Sequence, residues 1–440
     1  MHQNFKIGSL HARPSHHIRP VRCPMGLPTA RQLFVKTDCW RSLELHKHHS
    51  ALGLATALRP VQPVTLIRPH AAKRAARFFV EKFQGTSLYA VKANPSPDLL
   101  TLLWESGITH FDCASIAEVR LVARLLPEAT ICFMHPVKAP EAIAEAYATH
   151  GVRTFSLDSE DELAKIMEAT DDATDLTLCV RMRASSNHSK LSLAAKFGAE
   201  QQDMAALLMA TRQAADALGI CFHVGSQAMS PAAYTQALAR VRAAIVEASV
   251  TVDVIDVGGG FPSIYPGMEP PPLEAYFRTI HETFEQLPIS YSAELWCEPG
   301  RALCAEYASL LVRVERRRGD ELYINDGAYG ALFDAAHVGW RFPVDLVRET
   351  ESSAKMTAFS FYGPTCDDMD YMAGPFELPA DVAQGDYIEI GMLGAYGCAM
   401  RTNFNGFGAG DIMVVDDEPM ACAYEGEKPA IARPANVVTL

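Results

Sequence analysis

Short apolar segments alternate with longer amphipathic ones along this chain, starting near residue 64 and ending near residue 303. The short segments are rich in β-branched and aromatic residues, which is typical of buried strands, whereas alanine and leucine in the longer ones favour helices. The predicted strands are residues 87–93, 110–114, 130–135, 153–157, 176–182, 220–225, 252–257 and 292–297. The predicted helices are residues 97–105, 116–125, 139–149, 160–168, 203–217, 232–248 and 273–286.

The strict alternation of strands and helices predicts parallel βαβ units. Eight such units within about 240 residues match a (β/α)8 barrel in number and in length. A doubly wound open sheet is the alternative on periodicity alone, but no Gly-x-Gly-x-x-Gly sequence follows the first strand. We therefore expect a barrel domain over residues 64–303.

After residue 304 the pattern changes to strand-like segments separated by Gly, Pro and Asp turns. These segments are residues 308–315, 322–324, 357–362, 387–390 and 412–415. They predict a second, mostly antiparallel C-terminal β domain over residues 304–415, followed by a tail over residues 416–440. Residues 1–50 are expected to form an irregular N-terminal extension, and segments 32–35 and 64–67 are expected to add strands or a crossover to the β domain.

Composition and charge narrow the classes of function. The chain has 440 residues, of which 49% are apolar and 21% charged, as in ordinary globular proteins. No apolar segment reaches the roughly 18 residues of a membrane span, so we expect no membrane partner. The first 50 residues carry a net charge of +6 and seven histidines, and the others carry −19. An acidic body argues against a nucleic-acid partner.

The cysteines indicate a reducing compartment. There are eleven of them, and none lies in a Cys-x-x-Cys sequence. This pattern favours reduced thiols in a cytoplasmic enzyme over a disulfide framework or a zinc site, so no metal is expected. Most of these cysteines are expected to be buried as small hydrophobic residues.

Polar residues stand at the carboxyl ends of the predicted strands, where barrels collect their chemistry. They are Lys92, Asp112, His135, Arg181, His223, Gly258–Gly260 and Glu298–Arg301. Each also has an ordinary interpretation: a lysine reaching water, a core histidine, a tight glycine turn or a local ion pair. A functional site would be absent only if every one of these ordinary interpretations were correct at the same time.

The set fits a phosphorylated aldehyde cofactor. A buried lysine such as Lys92 can form a Schiff base with the aldehyde. Backbone N–H groups at Gly258–Gly260, with Arg301 nearby, suit a phosphate dianion. Glu298 suits a protonated pyridine nitrogen, which makes the ring an electron sink, and a flat imidazole such as His223 can stack on that ring.

Seven motifs in order resemble one known family, the fold-type III pyridoxal-phosphate-dependent decarboxylases that include the ornithine, diaminopimelate and arginine enzymes. The resemblance covers about residues 60–410 and is closest to bacterial-type ornithine decarboxylases. The motifs are Tyr89-Ala-Val-Lys92-Ala-Asn94, Phe111-Asp-Cys-Ala-Ser115, His223-Val-Gly-Ser-Gln227, Asp256-Val-Gly-Gly-Gly-Phe-Pro262, Cys297-Glu-Pro-Gly-Arg301, Gly363-Pro-Thr-Cys-Asp367 and Gly394-Ala-Tyr396. It implies an alanine-racemase-like (β/α)8 barrel with a C-terminal antiparallel β-barrel or sandwich domain, and pyridoxal 5'-phosphate as cofactor.

The resemblance also implies roles for residues. Lys92 would bind the cofactor covalently, His223 would stack on its ring, Glu298 would pair with its nitrogen, and Cys366 would reprotonate the substrate carbon after carbon dioxide leaves. The implied cofactor contacts are Lys92, Asp112, Arg181, His223, Ser226, Gly258, Gly259, Gly260, Glu298, Pro299, Gly300, Arg301 and Tyr396. The implied substrate contacts are Phe333, Asp334 and Asp367.

The substrate expected from the resemblance is a basic L-amino acid, most simply L-ornithine, which would yield putrescine for polyamine biosynthesis. Asp334 and Asp367 would face the distal ammonium group, and a distal carboxylate would be repelled there. Cys366 and Asp367 would reach the partner's site across a homodimer interface. Two departures, Gln227 where many relatives have Gly and Phe333 where a Tyr is common, leave the choice between ornithine and lysine open.

Other functions share this fold. A lysine or dual lysine/ornithine decarboxylase is the main alternative, followed by a diaminopimelate decarboxylase. A racemase would need a second base, typically a tyrosine, where Cys366 stands. A non-catalytic regulator of the antizyme-inhibitor kind would lack a competent site, and the intact Lys92, Glu298 and Cys366 argue against it.

Overall fold

The computed structural model describes residues 48–184 and 187–424. The predictions for residues 1–47, including a strand at residues 32–35, and for residues 425–440 of the tail lie outside the described residues. The strands are β1 (Val64–Ile67), β2 (Thr86–Ala90), β3 (His110–Cys113), β4 (Thr130–Phe133), β5 (Thr154–Leu157), β6 (Thr177–Arg181), β7 (Ser189–Leu191), β8 (Ala217–Cys221), β9 (Ser226–Ala228), β10 (Val254–Asp256), β11 (Glu294–Cys297), β12 (Ala308–Arg318), β13 (Glu321–Ile324), β14 (Val344–Val347), β15 (Met356–Tyr362), β16 (Tyr371–Pro379), β17 (Tyr387–Ile390) and β18 (Asp411–Val414).

The helices lie mainly between the strands of the first domain. They are α1 (Ala51–Leu58), α2 (Pro69–Lys82), α3 (Pro97–Glu105), α4 (Ile116–Leu125), α5 (Pro140–His150), α6 (Glu160–Ala169), α7 (Met204–Ala214), α8 (Ala232–Ala248), α9 (Leu273–Phe284), α10 (Arg301–Cys304) and α11 (Phe333–His337). Within the described parts of the chain, none of them has the length and apolar character needed to cross a membrane.

Eight parallel strands close into a barrel, which confirms the predicted fold. Their order around the barrel is β2, β3, β4, β5, β6, β8, β10 and β11. The strands are short and their residues are mostly buried, as a parallel sheet covered by helices requires. Helices α4 and α6 start at capping residues: the Ser115 Oγ accepts from the Glu118 N–H at 3.3 Å, and the Ser159 Oγ accepts from the Glu162 N–H at 3.2 Å.

Three predicted strands end two or more residues too late, all at the same end of the barrel. Strand β2 stops at Ala90, and residues Val91–Ala93 form a 3₁₀ turn that holds Lys92. Strand β4 likewise ends before His135. Strand β8 is Ala217–Cys221 instead of residues 220–225, so His223 lies in the loop that follows it. The start of β8 was not predicted, because its first residues, Ala-Leu-Gly, have a low β propensity.

The second domain is a mixed sheet, in the order β14, β17, β12, β13, β15 and β16. Strand β1 pairs antiparallel with β12 and parallel with β18, so the prediction that residues 64–67 add a strand to this domain is confirmed. The barrel therefore begins after β1, not at residue 64. Strands β14 and β16 were not predicted. In β16, Gly374 and Pro375 interrupt the run of strand-forming residues that the prediction depends on.

Candidate active site

A cavity of about 380 Å³ lies at the carboxyl ends of the barrel strands. Its volume is within the range of small-molecule sites. Eleven residues predicted from the sequence line it together: Lys92, Asp112, Arg181, His223, Ser226, Gly259, Gly260, Glu298, Gly300, Arg301 and Tyr396. They come from widely separated segments of the chain, so the fold brings the predicted cofactor contacts to one place.

Lys92 reaches into the cavity from the 3₁₀ turn after β2. Its Nζ donates to the Asp112 Oδ2 at 2.9 Å, and the Asp112 side chain is almost fully buried. The Lys92 side chain is 42% exposed because it faces the open cavity. Burial opposes its charge, but Asp112, Glu298 and Tyr396 outweigh that effect and raise the pKa of Lys92. The amine is therefore held as an ammonium group until another cavity group replaces these contacts.

His223 is held in one orientation by its own loop. The Gly225 N–H donates to His223 Nδ1 at 3.0 Å, so in the neutral ring the proton is on Nε2. Burial, followed by the charges of Arg181 and Lys92, lowers the pKa of His223 well below its ordinary value. Its ring is therefore neutral and can lie flat against an aromatic ligand without adding a positive charge.

Glu298 follows strand β11 and is only 3% exposed. Within the described parts of the chain, no backbone or side-chain N–H donates to its carboxyl group, and its Oε1 has no hydrogen-bond partner. Burial, followed by the charges of Asp256 and Asp112, raises the pKa of Glu298 well above its ordinary value. A buried carboxyl group without donors is suited to a ligand that brings an N–H group of its own.

The three glycines after β10 leave room for close backbone packing. Gly258 and Gly260 have φ values of +68° and +103°. A Cβ at Gly259 would lie 2.9 Å from His223 Nε2, and a Cβ at Gly260 would lie 2.5 Å from a backbone oxygen. Gly258 does not line the cavity, and neither does Pro299. These two predicted cofactor contacts shape the loops behind the cavity wall instead.

Arg301 forms the other end of the cavity and is 5% exposed. Its guanidinium lies over the rings of Trp340 and Tyr396, 4.4 and 5.0 Å from their centroids. Its Nη1 donates to the Tyr265 hydroxyl at 3.2 Å, and its buried Nε has no hydrogen-bond partner among the described residues. The stacked rings fix the guanidinium plane and leave a donor available to an anion.

Tyr396 is the cavity residue that the sheet domain contributes, from the loop after β17. Its φ of +62° is unusual for a residue with a side chain. The Tyr396 N–H donates to the Ala93 carbonyl at 2.8 Å, and Asn94 Nδ2 donates to the Gly394 carbonyl at 2.8 Å. These two bonds tie the loop of the sheet domain to the turn that holds Lys92.

Four predicted catalytic or substrate residues do not line this cavity: Phe333, Asp334, Cys366 and Asp367. Asp334 lies behind the cavity wall, with its Oδ2 3.5 Å from Arg301 Nη2. Cys366 is exposed, and its N–H donates to Asn405 Oδ1 at 3.1 Å. Asp367 accepts a hydrogen bond from the Tyr329 hydroxyl. Within one chain, therefore, the thiol is not next to Lys92.

Gln227, one of the two departures from the family pattern, does not contribute to the cavity wall. It is 1% exposed, it does not line the cavity, and its φ is +57°. A left-handed residue is most easily a glycine, which explains why Gly is common at this position in the family it resembles. Here the Ser263 N–H donates to Gln227 Oε1 at 3.1 Å, which stabilises the strained loop.

Sequence reasoning missed two parts of the site. Asp256 lies beside Glu298, and its position at the end of a buried strand was the available signal. Lys196 and Phe197 line the cavity from the loop after β7, and the Phe197 ring packs edge-on against His135 at 4.9 Å. A basic and an aromatic residue side by side in a long loop were the signal there.

These residues fit pyridoxal 5'-phosphate. Lys92 supplies the amine for its aldehyde, and the donor-free carboxyl group of Glu298 matches a protonated pyridine nitrogen. The glycine loop and the free Nε of Arg301 offer donors to its phosphate. The neutral His223 ring can cover one face.

Two family models match the chain. Residues 69–305 match the pyridoxal binding domain of the pyridoxal-dependent decarboxylases, and residues 302–394 match the C-terminal sheet domain of the same enzymes. The first match alone extends over more than half of the chain. The junction between the two matched regions lies at α10, where the barrel ends and the mixed sheet begins.

Individual relatives have different activities. The lysine/ornithine decarboxylase of Selenomonas ruminantium is 31% identical over 79% of this chain and 88% of its own length. The antizyme inhibitor 2 of Xenopus laevis is 32% identical over 72% of this chain and 73% of its own length. The structure of the Paramecium bursaria Chlorella virus arginine decarboxylase bound to agmatine superposes with a TM-score of 0.74 at 26% identity, covering 82% of this chain and 98% of that one.

Proposed function

The chain belongs to the pyridoxal-dependent decarboxylases that act on basic amino acids, and we propose that its substrate is L-ornithine and its product putrescine. Its cofactor is pyridoxal 5'-phosphate. The proposal is supported by two acidic residues: Asp334, whose carboxylate lies 3.5 Å from the cavity residue Arg301, and Asp367, beside Cys366, which would face a distal ammonium group once its loop reaches the cavity of a second chain.

The cofactor, when bound, withdraws the electrons that the departing carbon dioxide leaves on the substrate carbon. The residues of the chain set the conditions for this chemistry. Lys92 would supply the amine that binds the aldehyde of the cofactor. Neutral His223 would cover one face of the ring, and Glu298 would pair with the pyridine nitrogen and keep it protonated.

In this proposal, Asp334 receives the distal ammonium group of the substrate. Its side chain is 16% exposed, and its distance of 3.5 Å from Arg301 is longer than a hydrogen bond. Asp334 therefore keeps acceptor capacity for a second cation. A distal carboxylate, as in diaminopimelate, would meet repulsion at the same point, so a diamino acid without that group is favoured.

Cys366 and Asp367 would act in the cavity of a second copy of the chain. Both residues lie on an exposed loop, and neither lines the cavity of its own chain. Large apolar side chains around them are exposed: Met369, Tyr371, Met400, Phe404 and Phe407. Exposed apolar groups in one place are typical of an interface. We propose a homodimer in which this surface places Cys366 beside Lys92 of the partner, where its thiol protonates the substrate carbon.

A lysine or dual lysine/ornithine decarboxylase is the second candidate, since the relative from Selenomonas ruminantium has both activities in its name. Lysine is longer than ornithine by one methylene, and one methylene in a pocket changes selectivity by roughly 10- to 200-fold. A racemase or a non-catalytic regulator is disfavoured because Lys92, Glu298 and Cys366 are all present.

The test is carbon dioxide release by the purified protein from ornithine, lysine, arginine and diaminopimelate. We expect the highest kcat/KM with ornithine and no release from diaminopimelate. Asp334→Asn should raise the KM for ornithine by about tenfold to a hundredfold, because a charge-assisted hydrogen bond contributes roughly 1.5–3 kcal/mol. Exposed Asp368→Asn, in the same loop as Asp367, is the matched control. Release from diaminopimelate alone would refute the proposed substrate.

A further inference from the structure

Two carboxyl groups, not one, lie at the carboxyl ends of two neighbouring barrel strands. Strands β10 and β11 are parallel neighbours, and Asp256 is in register with Trp296. Side chains alternate along a strand, so Glu298 points to the same side of the sheet as Trp296, two residues before it. Trp296 belongs to a cluster inside the barrel together with Val254. Asp256 and Glu298 therefore both point into the barrel interior.

The two groups are close to each other and shielded from water. Asp256 is 0% exposed and Glu298 is 3% exposed, and their side chains are within hydrogen-bonding reach of each other. Asp256 Oδ1 accepts from the Gly258 N–H at 2.8 Å. Within the described residues, Asp256 Oδ2 and Glu298 Oε1 have no hydrogen-bond partner. Two ionised carboxylates in this arrangement would leave both oxygens unpaired and would repel each other.

One proton resolves both problems. A proton on either carboxyl group makes it a donor to the other, so both orphan oxygens gain a partner and one negative charge disappears. We propose that Asp256 and Glu298 hold a single proton between them, and that this shared proton makes Asp256 a positioning residue for the pyridoxal cofactor. When the pyridine nitrogen faces Glu298, the shared proton stays on Asp256 and Glu298 remains a carboxylate.

The loop behind Asp256 supports this geometry. The Gly258 N–H fixes the Asp256 carboxyl group through Oδ1, which leaves Oδ2 for Glu298. Gly258 itself cannot be replaced, because a Cβ there would lie 1.9 Å from the Phe222 carbonyl oxygen. The same glycine loop thus forms one cavity wall and orients the second carboxyl group. Asp256 acts through Glu298 and does not line the cavity.

The charged surroundings of the pair are mixed. Arg181 and Lys92 are the nearby cations, and Asp112 is a third nearby acid. The titratable thiols that face the pair from the surrounding strands are Cys132, Cys179, Cys221 and Cys297. Burial raises the pKa of each of these thiols, so they stay neutral across the pH range of interest. A change in the charge of this part of the barrel near neutral pH is therefore due to Asp256 and Glu298 and not to the thiols.

The test compares Asp256→Asn with Asp256→Ala in the full-length protein and measures the dissociation constant of pyridoxal phosphate against pH. In the Asn variant, Oδ1 can still accept from Gly258 and Nδ2 can donate permanently to Glu298. We expect its affinity at neutral pH to be within about threefold of the natural protein. The Ala variant should bind about tenfold to a hundredfold more weakly, because it loses a hydrogen bond to a charged group.

The pH dependence separates a shared proton from an ionised Asp256. An Asp256 that carries the shared proton is neutral, as an Asn side chain is, so Glu298 has a neutral neighbour in both proteins. The loss of cofactor affinity at low pH, the acidic limb, should therefore lie at the same pH in Asp256→Asn as in the natural protein and should disappear in Glu298→Gln. Asp216→Asn, an exposed aspartate before the neighbouring strand, should leave the limb unchanged.

Two results would overturn the proposal. If Asp256 is instead ionised beside the bound cofactor, the loss of its charge will lower the pKa of Glu298, and the acidic limb of the Asn variant will move to lower pH. If the charge of Asp256 is what matters, the Asn variant will lose as much affinity as the Ala variant. Should Asp256→Ala fail to fold, the pH profile of the Asn variant decides alone. Because cofactor binding needs no substrate, this test is independent of the choice of ornithine.

Discussion

At the scale of single residues, burial sets the protonation states that the chemistry requires. His223 is neutral because burial and two neighbouring cations lower its pKa. Lys92 is charged because three acidic neighbours outweigh burial and raise its pKa. These opposite outcomes within one cavity follow from the signs of the neighbouring groups, since desolvation alone disfavours the charged form of both.

The ammonium of Lys92 has to lose a proton before it can attack the cofactor, and Asp112 resists that loss. We expect Asp112→Asn to lower the pKa of Lys92 and to move the rise of the cofactor attachment rate to lower pH. At pH 8 the rate should increase by about threefold to tenfold, since one charge-assisted bond is lost and the open cavity screens part of it. The measurement is stopped-flow absorbance of the apoprotein mixed with pyridoxal phosphate.

Asp98→Asn is the matched control for this experiment. Asp98 is a half-buried acid in the first turn of α3, and burial raises its pKa, but it does not line the cavity. Its substitution should leave the attachment profile unchanged. An Asp112→Asn profile that coincides with that of the natural protein would show that Asp112 does not control the proton on Lys92.

Individual residues also show how far sequence reasoning reaches. Lys92, His223 and Glu298 can be predicted because charged groups at the ends of buried strands have no packing explanation. Asp256 carries the same signal at the end of β10, but a weaker one, because an aspartate before glycines is also an ordinary turn residue. The exposed position of Cys366 could not be predicted either, because it depends on where one loop of the sheet domain lies relative to the cavity.

At the scale of elements, helices follow the sequence more closely than strands do. The pattern predicts α3, α4 and α8 with their observed bounds. Proline or serine marks their starts, and their apolar faces repeat regularly. The barrel strands have three to five residues, and each runs directly into a polar loop. Where a strand stops depends on the closure of the barrel, which local propensity does not contain.

The connection between the Lys92 turn and the Tyr396 loop is the element whose loss should affect the cofactor most. Asn94 is 2% exposed; its Nδ2 donates to the Gly394 carbonyl, and its Oδ1 accepts from the Ser96 N–H at 3.1 Å. Asn94→Ala should lower the free energy of unfolding by about 1–3 kcal/mol, because buried groups lose their partners. It should also weaken cofactor affinity several-fold, measured by equilibrium dialysis.

Asn325→Ala provides the comparison, because Asn325 forms an equivalent pair of bonds elsewhere in the sheet domain. Its Nδ2 donates to the Val61 carbonyl at 3.1 Å, and its Oδ1 accepts from the Arg313 N–H at 2.9 Å. We expect a smaller loss of stability and no change in cofactor affinity. Equal losses of cofactor affinity in the two variants would contradict a specific role for the Asn94 connection.

At the scale of the whole molecule, a buried arginine joins the start of the barrel to the sheet. Arg68 is 2% exposed, and it donates to Ser309 Oγ at 2.7 Å, to Glu389 Oε1 at 2.8 Å and to Asp417 Oδ1 at 3.0 Å. Asp417 belongs to the segment that the sequence assigns to a tail. Part of that tail is therefore fixed to the sheet domain by a fully hydrogen-bonded charge.

The proposed homodimer makes the sharpest prediction at this scale, because one chain alone keeps its thiol away from its own Lys92. Neither Lys92→Ala nor Cys366→Ala should decarboxylate ornithine efficiently by itself. When equal amounts of the two variants are unfolded, mixed and refolded, random pairing makes half of the dimers mixed. Each mixed dimer contains one site with both Lys92 and Cys366 intact, so about a quarter of the natural activity should return.

Lys92→Ala mixed with Glu298→Gln is the matched control, because both changes affect the cavity of their own chain. Every site in those mixed dimers lacks one of the two groups, so no activity should return. Recovery in the control as well would show that mixing restores activity by a route other than shared sites. No recovery from Lys92→Ala with Cys366→Ala, with mixed dimers demonstrated by mass, would show that Cys366 does not act in the partner's cavity.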